Sequence, residues 1–395
     1  MANTVLIAGG GIGGLAAALA CSRAGWSVQV LEQAAQFGEV GAGVQLGPNV
    51  VHVLNGWGLG EALNQVCFRP AALQVRSALS ADLLGVLPLG ERAARLYGAA
   101  YLTVARVDLH AVLLSAVRQR AGVALCLDSR VAHIQEDRNT VTVRDTQGRT
   151  FTADALVGAD GIWSRVRQHM LHDGPARATG HVAYRALVSQ AELPDALRSQ
   201  VVTAWMGPRF HAVQYPVKRG EWLNVVVIVQ GNVSGDLQGW NHAASAADLQ
   251  QHLGAACQPL KALVDAIADW RMWPLCDRAP LQSASEHARG RIALLGDAAH
   301  PMRPYLAQGA GMAIEDAHAL AQSLTAPDSL EQSLQRYAQA RWQRNARVQA
   351  RAIRNGEIFH MQGLMRMARD ASLKLLGPRL LDVPWLYAGT SQSRR

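Results

Sequence analysis

The cysteines of this chain form no recognisable pattern. There are five in 395 residues, none in a C-x-x-C pair, and the count is odd. A disulfide framework needs an even, regularly spaced set, so we expect reduced thiols and a cytoplasmic protein. The apolar N-terminus has no basic region before it and is interrupted by glycines. We therefore expect no signal peptide.

The sequence also lacks the patterns of a membrane span, a metal site and a serine hydrolase. Apart from the glycine-broken N-terminal segment, no charge-free run of about 18 residues suggests a membrane span. His169 and His172 stand three apart without an obvious third ligand, so no metal site is expected. No G-x-S-x-G motif supports a serine hydrolase. There is no internal repeat and no low-complexity segment.

Positive charge is concentrated near the C-terminus. The net charge is +8, and residues 326–395 contain 12 Arg and Lys against 5 Asp and Glu. Arg344, Arg347, Arg351 and Arg354 fall on one face of a predicted helix. No nucleic-acid-binding module accompanies them, so no nucleic-acid partner is expected. We interpret the stripe as a solvated or inter-element face, with a subunit contact as the alternative.

Residues 4–32 have the pattern of a dinucleotide-binding unit. An apolar strand over residues 5–8 runs into G-x-G-x-x-G, an Ala- and Leu-rich helix follows, and a second apolar strand ends at an acid about 20 positions after the glycines. Helix N-terminal amides stabilise phosphates, and the acid accepts from ribose hydroxyls. An acid at that position favours FAD or NAD over NADP. The predicted binding residues here are Gly9, Gly11, Gly13, Gly14, Glu32 and Gln33.

A second segment, residues 293–317, has the pattern of a loop that closes over a flavin. A buried strand ends in Gly-Asp, and a loop with prolines and glycines leads into a helix. The aspartate is placed to accept from a sugar or ribityl hydroxyl, and the helix N-terminus stabilises negative charge on a reduced flavin. An ordinary strand–turn–helix with a capping aspartate is the alternative. The predicted cofactor residues are Gly296, Asp297, Pro304, Gly309, Ala310, Gly311 and Met312.

Three motifs in this order carry a family resemblance. They are GGGIGG at 9–14, GADGIWSRVR at 158–167 and GDAAHPMRPYLAQGAGMAIEDA at 296–317, supported by 39–49 and 105–113. With them the chain resembles the flavoprotein aromatic hydroxylases of the p-hydroxybenzoate hydroxylase class, especially the salicylate, 3-hydroxybenzoate and 6-hydroxynicotinate hydroxylases. The resemblance implies an α/β fold: a Rossmann-like FAD-binding domain, a substrate domain built on an antiparallel sheet, and a C-terminal helix.

The resemblance also implies further cofactor residues. In the family the Asp-Gly of the middle motif lies between FAD and the reduced nicotinamide, one arginine lies near the FAD phosphates, and a glycine segment lines the flavin ring. By the resemblance, Asp160, Gly161 and Arg165 belong to the nucleotide site, Arg106 lies near the phosphates, and Gly43 and Val44 line the flavin ring. Val131 completes the predicted cofactor residues.

The predicted domains are interleaved along the chain. The FAD-binding domain is assigned residues 1–70, 100–175 and 276–330, and the substrate domain residues 71–99 and 176–275. Short strands over 123–127, 131–135, 141–144 and 151–153 are expected to form a small sheet. In the substrate domain we expect helices near 246–253 and 260–270. The region 331–395 is expected to be helical, with one long helix over 331–370 and breaks at Pro378 and Pro384.

In the family a flavin C4a-hydroperoxide delivers oxygen to an aromatic ring. A phenolate reacts better than a phenol, so the site needs a base near the substrate hydroxyl, and the flavin makes a metal unnecessary. His211 and Tyr215, four apart on a predicted strand, fall on one face and match a His-x-x-x-Tyr pair of the family. We expect His211 to be the base and Tyr215 to position the substrate, with a core tyrosine and a satisfied histidine as the alternative. Arg303 is expected to face either a substrate carboxylate or solvent.

These observations together predict an enzyme. We expect an FAD-dependent monooxygenase that uses NADH, or else NADPH, and O2 to hydroxylate a small phenolic or hydroxy-heteroaromatic acid, with a homodimer as the default assembly. A hydroxylase of a larger aromatic, such as a polyketide or quinone precursor, and a flavin-binding protein without turnover are the alternatives. A plain NAD dehydrogenase is disfavoured because residues 296–317 would have no role. The exact substrate, the ring position and any coupled decarboxylation stay open.

Overall fold

The fold is that of a computed structural model, which describes residues 3–38, 43–231, 237, 239 and 242–389. The first four residues of the supporting motif at 39–49 therefore lie outside the described residues.

The described residues contain thirteen α-helices. They are α1 (Ile12–Arg23), α2 (Pro48–Gly56), α3 (Gly60–Val66), α4 (Gly90–Tyr97), α5 (Arg106–Arg118), α6 (Arg165–Leu171), α7 (Ala246–Leu253), α8 (Gln258–Asp265), α9 (Ala284–His287), α10 (Gly309–Leu324), α11 (Leu330–Phe359), α12 (Gly363–Leu381) and α13 (Pro384–Tyr387).

The same residues contain nineteen strands. They are β1 (Thr4–Ala8), β2 (Ser27–Leu31), β3 (Gly43–Leu46), β4 (Ala72–Ser77), β5 (Leu83–Pro88), β6 (Leu102–Ala105), β7 (Val123–Cys126), β8 (Val131–Glu136), β9 (Val141–Asp145), β10 (Thr150–Ala153), β11 (Ala155–Gly158), β12 (Arg177–Ser189), β13 (Val202–Gly207), β14 (Phe210–Val217), β15 (Trp222–Gln230), β16 (His242–Ala244), β17 (Trp270–Asp277), β18 (Ala288–Arg289) and β19 (Ile292–Leu294).

The predicted Rossmann-like half is built on a six-stranded sheet. Its order is β18-β19-β11-β1-β2-β7, parallel except for the edge strand β18. Helix α1 packs against α10 and α5. A Cβ on Gly14 would lie 1.8 Å from the carbonyl oxygen of Gly9, so only glycine permits this approach of helix to turn. The first turn of α1 therefore packs directly against the glycine turn.

The second large sheet has eight strands in the order β16-β17-β12-β15-β14-β13-β4-β5. It is antiparallel except for the pairing of β13 with β4, which is parallel. Strands β4 and β5, from the segment 71–99, extend this sheet. Phe210 and Ala212 of β14 share a buried cluster with Leu249 and Leu260 of α7 and α8. Helices thus cover one face, and the opposite face is left for the other half of the molecule.

The structure corrects two local predictions. Residues 123–127 do not join the small sheet: β7 pairs with β2 in the parallel sheet, and the small sheet contains β8, β9 and β10. The helix predicted for 260–270 stops at Asp265, and Trp270 begins β17, which pairs with β12 along most of its length. In both cases long-range strand pairing overrides the local pattern, which carries no information about partners.

The C-terminal region is two long helices rather than one. Helix α11 ends at Phe359, and α12 begins at Gly363. Arg369 of α12 donates to the carbonyls of Ile358 and Phe359 at 2.9 and 2.8 Å, satisfying acceptors at the end of α11. Pro378 lies inside α12 and does not break it, whereas Pro384 begins α13.

A buried charge cluster joins α10 to α11. Arg341 donates to Glu315 at 2.8 Å and to Asp316 at 2.7 Å, and Asp316 also accepts from His300 at 2.5 Å. Burial alone would raise the pKa of Asp316, but His300 and Arg341 hold that pKa well below its usual range. Arg344 donates twice to Glu315 as well. Both carboxylates are therefore charged and depend on these partners.

Replacing Arg341 by leucine is expected to lower the free energy of unfolding by about 3–5 kcal/mol, because two buried carboxylates lose a shared cation. Urea unfolding of the purified flavoprotein measures this. Arg336→Leu, on the same helix, is the matched control: its pair with Asp328 is about two-fifths exposed, and its loss should cost no more than about 1 kcal/mol. A loss for Arg341→Leu no larger than the control's would contradict the structural role of the cluster.

Candidate active site

The carboxyl ends of β1, β2, β11 and β19 meet at a cavity of about 420 Å³. This edge is where open α/β sheets bind ligands. Fourteen of the predicted cofactor residues line the cavity: Gly9, Gly11, Gly13, Glu32, Gln33, Arg106, Val131, Asp160, Gly161, Arg165, Gly296, Asp297, Gly309 and Ala310. Residues that lie far apart in the sequence are thereby brought to one site.

The glycine turn is rigidly shaped for a close approach. Gly9 has φ +102°, and a Cβ there would lie 2.4 Å from the carbonyl oxygen of Ala159. The carboxylate of Glu32 accepts from the backbone N–H of Gly10 at 2.6 Å and of Ala34 at 2.8 Å. Each carboxylate oxygen keeps further lone pairs for a ligand hydroxyl. The turn and the acid therefore form one preorganised unit.

His110 supports this turn from α5. Its Nε2 donates to the carbonyl of Gly10 at 2.9 Å, and its ring lies beside Phe37. Sequence reasoning did not single out His110, although it lies within the supporting motif at 105–113. The sequence shows a histidine on an otherwise apolar helix face. Such a histidine indicates no particular role unless its hydrogen-bond partner is known.

Asp160 organises the start of α6. It accepts from the hydroxyl of Ser164 at 2.5 Å and from the N–H groups of Arg165 and Val166 at 2.7 and 3.2 Å. Burial raises the pKa of Asp160 despite these hydrogen bonds. Gly161 follows with φ +73°. The exposed side chain of Arg165 lies at the edge of the cavity.

The loop over residues 296–308 is held through its backbone by buried side chains. Arg167 donates to the carbonyl of Ala299 at 2.8 Å, Gln349 to that of Pro301 at 3.0 Å, and Asn355 to that of Tyr305 at 3.1 Å. Asp316 accepts from the N–H of Gly296 at 3.1 Å. Sequence reasoning missed all of these anchors. Polar residues recur at 341, 345 and 349, a spacing that places them on one helix face. This spacing could have indicated the anchors, but only the basic stripe on the same helix was interpreted.

Four predicted cofactor residues outside the cavity lining have other surroundings. Gly14 packs against the glycine turn, and a Cβ on Gly311 would lie 2.8 Å from Val50. The side chain of Met312 is buried in a cluster with Val348. Pro304 is exposed and begins a short 3₁₀ turn.

Gly43 and Val44, also outside that lining, belong to β3 at the contact between the two halves. The N–H of Gly43 donates to Asn224 at 2.6 Å, and a Cβ on Gly43 would lie 2.5 Å from the ring of Tyr215. Tyr215 is hydrogen-bonded to Gln45, and burial raises its pKa. Gln45 also accepts from Tyr101 at 2.6 Å. The predicted positioning tyrosine thus lies directly on the segment expected to line the flavin ring.

His211 is buried on the same strand as Tyr215, with 1% of its surface exposed. Its ring lies 5.2 Å from those of Tyr305 and Phe359, and its Nδ1 is 2.8 Å from Nε2 of His360. Burial lowers the pKa of His211 well below its usual range, helped by the neighbouring histidines. His211 is therefore a neutral imidazole at neutral pH, with a lone pair on one ring nitrogen.

The predicted arginines have partners within the chain. Arg303 donates twice to Asp277, at 2.9 and 2.7 Å, so its charge is already compensated. Arg344 donates to Glu315, and Arg347 lies over the ring of Trp385 at 3.9 Å. The inter-element reading of the basic stripe is confirmed for these two residues.

Two further findings concern the described residues only. They contain no group of three or more His, Cys, Asp or Glu side chains arranged to hold a metal ion. None of their helices is long and apolar enough to cross a membrane.

The cavity fits an adenine dinucleotide such as FAD. Helices α1 and α10 both begin at its wall, and in neither does the side chain of the N-cap residue hydrogen-bond to the N-terminal amides. Such amides bind phosphate or other negative charge. The glycine turn leaves room where a Cβ would collide, and the fixed carboxylate of Glu32 offers lone pairs to a ribose. These features suit a pyrophosphate and a sugar better than an apolar ligand.

Comparisons with known proteins agree with this geometry. A family described as FAD binding domain matches residues 2–352. The 3-hydroxybenzoate 6-hydroxylase of Polaromonas naphthalenivorans (strain CJ2) is 38% identical over 97% of this chain and 95% of its own length. The 6-hydroxynicotinate 3-monooxygenase of Bordetella bronchiseptica is 36% identical over 79% of this chain and 80% of its own. The crystal structure of Klebsiella pneumoniae HpxO with FAD and uric acid superimposes with a TM-score of 0.84 at 25% identity, covering 96% and 94% of the two chains.

Proposed function

This chain belongs to the FAD binding domain family, and from that premise we propose that it hydroxylates a small hydroxybenzoate, with 3-hydroxybenzoate as the first candidate. It is an FAD-dependent aromatic-ring monooxygenase that uses a reduced nicotinamide and O2. The observation that carries the substrate proposal is His211, a buried neutral base beside the loop 296–308. The choice of 3-hydroxybenzoate is supported by the 3-hydroxybenzoate 6-hydroxylase that is 38% identical over 97% of this chain.

The residues of the cavity would hold FAD in the following way. The glycine turn and the N-terminus of α1 bind the pyrophosphate, Glu32 binds the ribose, and Asp297 and the N-terminus of α10 bind the ribityl and isoalloxazine side. When bound, the flavin supplies the redox chemistry that activates O2, so the protein contributes binding, orientation and proton handling. Asp160, Gly161 and Arg165 at the cavity edge are the proposed contacts for the nicotinamide, with NADH as the proposed donor.

The residues around His211 suit a phenolic ring. Phe359 and Tyr305 supply aromatic surfaces on two sides of the imidazole. A phenol must lose its proton to become a good nucleophile, and a neutral imidazole within a hydrogen bond of the hydroxyl accepts that proton. Tyr215 lies against β3 and would fix the orientation of the substrate relative to the flavin. The site thus combines shape selection with one proton acceptor.

Purified protein with bound FAD should oxidise NADH in air faster when 3-hydroxybenzoate is present, with one hydroxylated product for each NADH consumed. A panel of hydroxybenzoates, salicylate and hydroxypyridine carboxylates, followed by absorbance at the NADH band and by product chromatography, measures this. Stimulation by a hydroxypyridine carboxylate instead would identify that compound class as the substrate. Stimulation only by a bulkier aromatic would overturn the proposal.

His211→Ala should lower the rate of product formation by roughly 10²- to 10⁴-fold, the usual contribution of a general base. FAD should stay bound, because His211 does not line the cofactor cavity. Since the wild-type imidazole is already neutral at neutral pH, raising the pH should partly restore the variant by ionising the phenol in solution. His133→Ala, exposed on β8, is the control. Coupled turnover close to wild type in His211→Ala would refute the role.

We also propose a homodimer in the cytoplasm, joined through the outer face of α12. Leu364 and Leu375 of this helix are 82% and 83% exposed, and other large apolar side chains on it are exposed as well. Apolar surface of this kind marks an interface, and a two-fold dimer is the commonest self-assembly. Lys374 pairs with Asp82 at 3.0 Å, which reduces the repulsion between two copies. The free cysteines among the described residues suit a reducing compartment.

Light scattering of the purified protein should give about twice the 42.4 kDa chain mass. The double variant Leu364→Ser and Leu375→Ser should fall to the monomer mass while retaining FAD. A monomeric wild type, or a double variant that stays dimeric, would rule out this interface.

A further inference from the structure

Three histidines from distant parts of the chain meet beside the loop 296–308. His181 lies on β12, His211 on β14, and His360 directly follows α11. The His360 ring centroid is 5.1 Å from that of His211 and 5.3 Å from that of His181. We call these three residues the histidine cluster. Burial decreases from His211, which is fully buried, through His360 to His181, which is half-buried.

The position of His360 is fixed by its backbone. Its N–H donates to the carbonyl of Gly356 at 3.2 Å, and its own carbonyl accepts from the N–H of Arg209 at 3.4 Å. Arg369 binds the two preceding carbonyls, which ends α11 at this point. The break between α11 and α12 therefore places one imidazole 2.8 Å from His211.

The contact between His211 and His360 requires one donor and one acceptor. Burial lowers the pKa of His360 to about 4, with His181 and Arg369 adding to the effect. Burial, with His360 and His181 nearby, also lowers the pKa of His211 well below its usual range. Both rings are neutral at neutral pH, and His360, 6% exposed against 1% for His211, is the less buried of the two. In the part of the chain that the structure describes, Nδ1 of His360 and Nδ1 of His181 are buried without a hydrogen-bond partner.

We propose that His360 is the positioning residue and proton acceptor behind His211. Its Nε2 accepts from Nδ1–H of His211, which leaves the lone pair of His211 Nε2 for the substrate hydroxyl. When the hydroxyl proton moves to His211 Nε2, the Nδ1 proton of His211 moves to His360 Nε2. The oxygen keeps the electron pair of the broken O–H bond as phenolate, and the positive charge ends on His360. This inference rests on the proposed phenolic substrate.

The surroundings favour release of that proton rather than its storage. His211 is faced by His360, His181 and Tyr305, and none of them carries a negative charge at neutral pH. His360 is faced in addition by Arg369, whose charge opposes a nearby imidazolium. At His181, the positive charge of Arg303 also disfavours protonation, and Asp277 is already paired with Arg303. A proton reaching His360 is therefore held only transiently.

Two variants of the FAD-loaded protein separate the two roles of His360. His360→Gln keeps an acceptor for His211 but takes up no proton, whereas His360→Leu removes both functions. With 3-hydroxybenzoate we expect KM within about twofold of wild type for His360→Gln and kcat lowered by about tenfold, with a larger kcat loss for His360→Leu. Both variants should need a higher pH to reach half of their maximal kcat. His133→Gln should match wild type in every respect.

A binding measurement tests the same inference without turnover. The ultraviolet band of phenolate, recorded for 3-hydroxybenzoate bound to the oxidised holoprotein, reports the pH at which the bound hydroxyl ionises. We expect this pH to rise by about one unit or more in both His360 variants, a tenfold change in the ionisation constant. Wild-type ionisation and pH–rate profiles in both variants, with normal FAD content, would overturn the inference.

The two readouts also distinguish failure of the inference from failure of the proposed function. If the His360 variants raise the pH at which the bound phenol ionises but wild type forms no hydroxylated product, hydroxylation of that compound fails while the role of His360 stands. If wild type hydroxylates it and the His360 variants ionise and react like wild type, the proposed function stands and the role of His360 fails. If wild type neither ionises the bound phenol nor forms hydroxylated product, both fail.

Discussion

The burial of Arg341 between Glu315 and Asp316 is the interaction on which the rest of the site depends. A buried carboxylate without its cation is strongly destabilised, so α10 and α11 are locked in one relative position. Asp316 in turn holds both the N–H of Gly296 and the ring of His300. These ion pairs and hydrogen bonds therefore fix the loop that borders the cofactor cavity, and the N-terminus of α10 is fixed with it.

The same helix α11 carries this constraint to the substrate side. Below Arg341, Gln349 and Asn355 bind the carbonyls of Pro301 and Tyr305, and the helix then ends where Arg369 takes its last carbonyls. That end places His360 against His211. One helix thus positions both the loop of the cofactor cavity and the imidazole pair that is proposed to meet the substrate, so a single rigid element fixes their relative placement.

Features that depend on neighbouring residues were predicted from the sequence, whereas features that depend on partners far away in the chain were not. The glycine turn, the strands on either side of α1 and the strand ending at Gly296 depend on local patterns, and all were predicted. The sheet membership of β7 depends on a partner strand almost a hundred residues away, and it was predicted wrongly. The end of α11 depends on Arg369, which lies beyond the break itself. The location of His211 and Tyr215 on one strand was predictable from their spacing, but the partner His360, 149 residues away, was not.

The molecule buries ionisable groups in two opposite ways, and the difference matches their tasks. Under the cofactor loop the charged form is kept: cations lower the pKa values of Glu315 and Asp316, and the resulting ion pairs are static supports. At the histidine cluster the neutral form is kept, because burial and neighbouring positive charge both lower the pKa values of the rings. An ion pair cannot take up a proton without losing its partner, whereas a neutral imidazole pair can do so and return to its starting state. The neutral histidine pair therefore suits the proposed proton transfer, and the cavity beside the charge cluster suits a cofactor that must be held still.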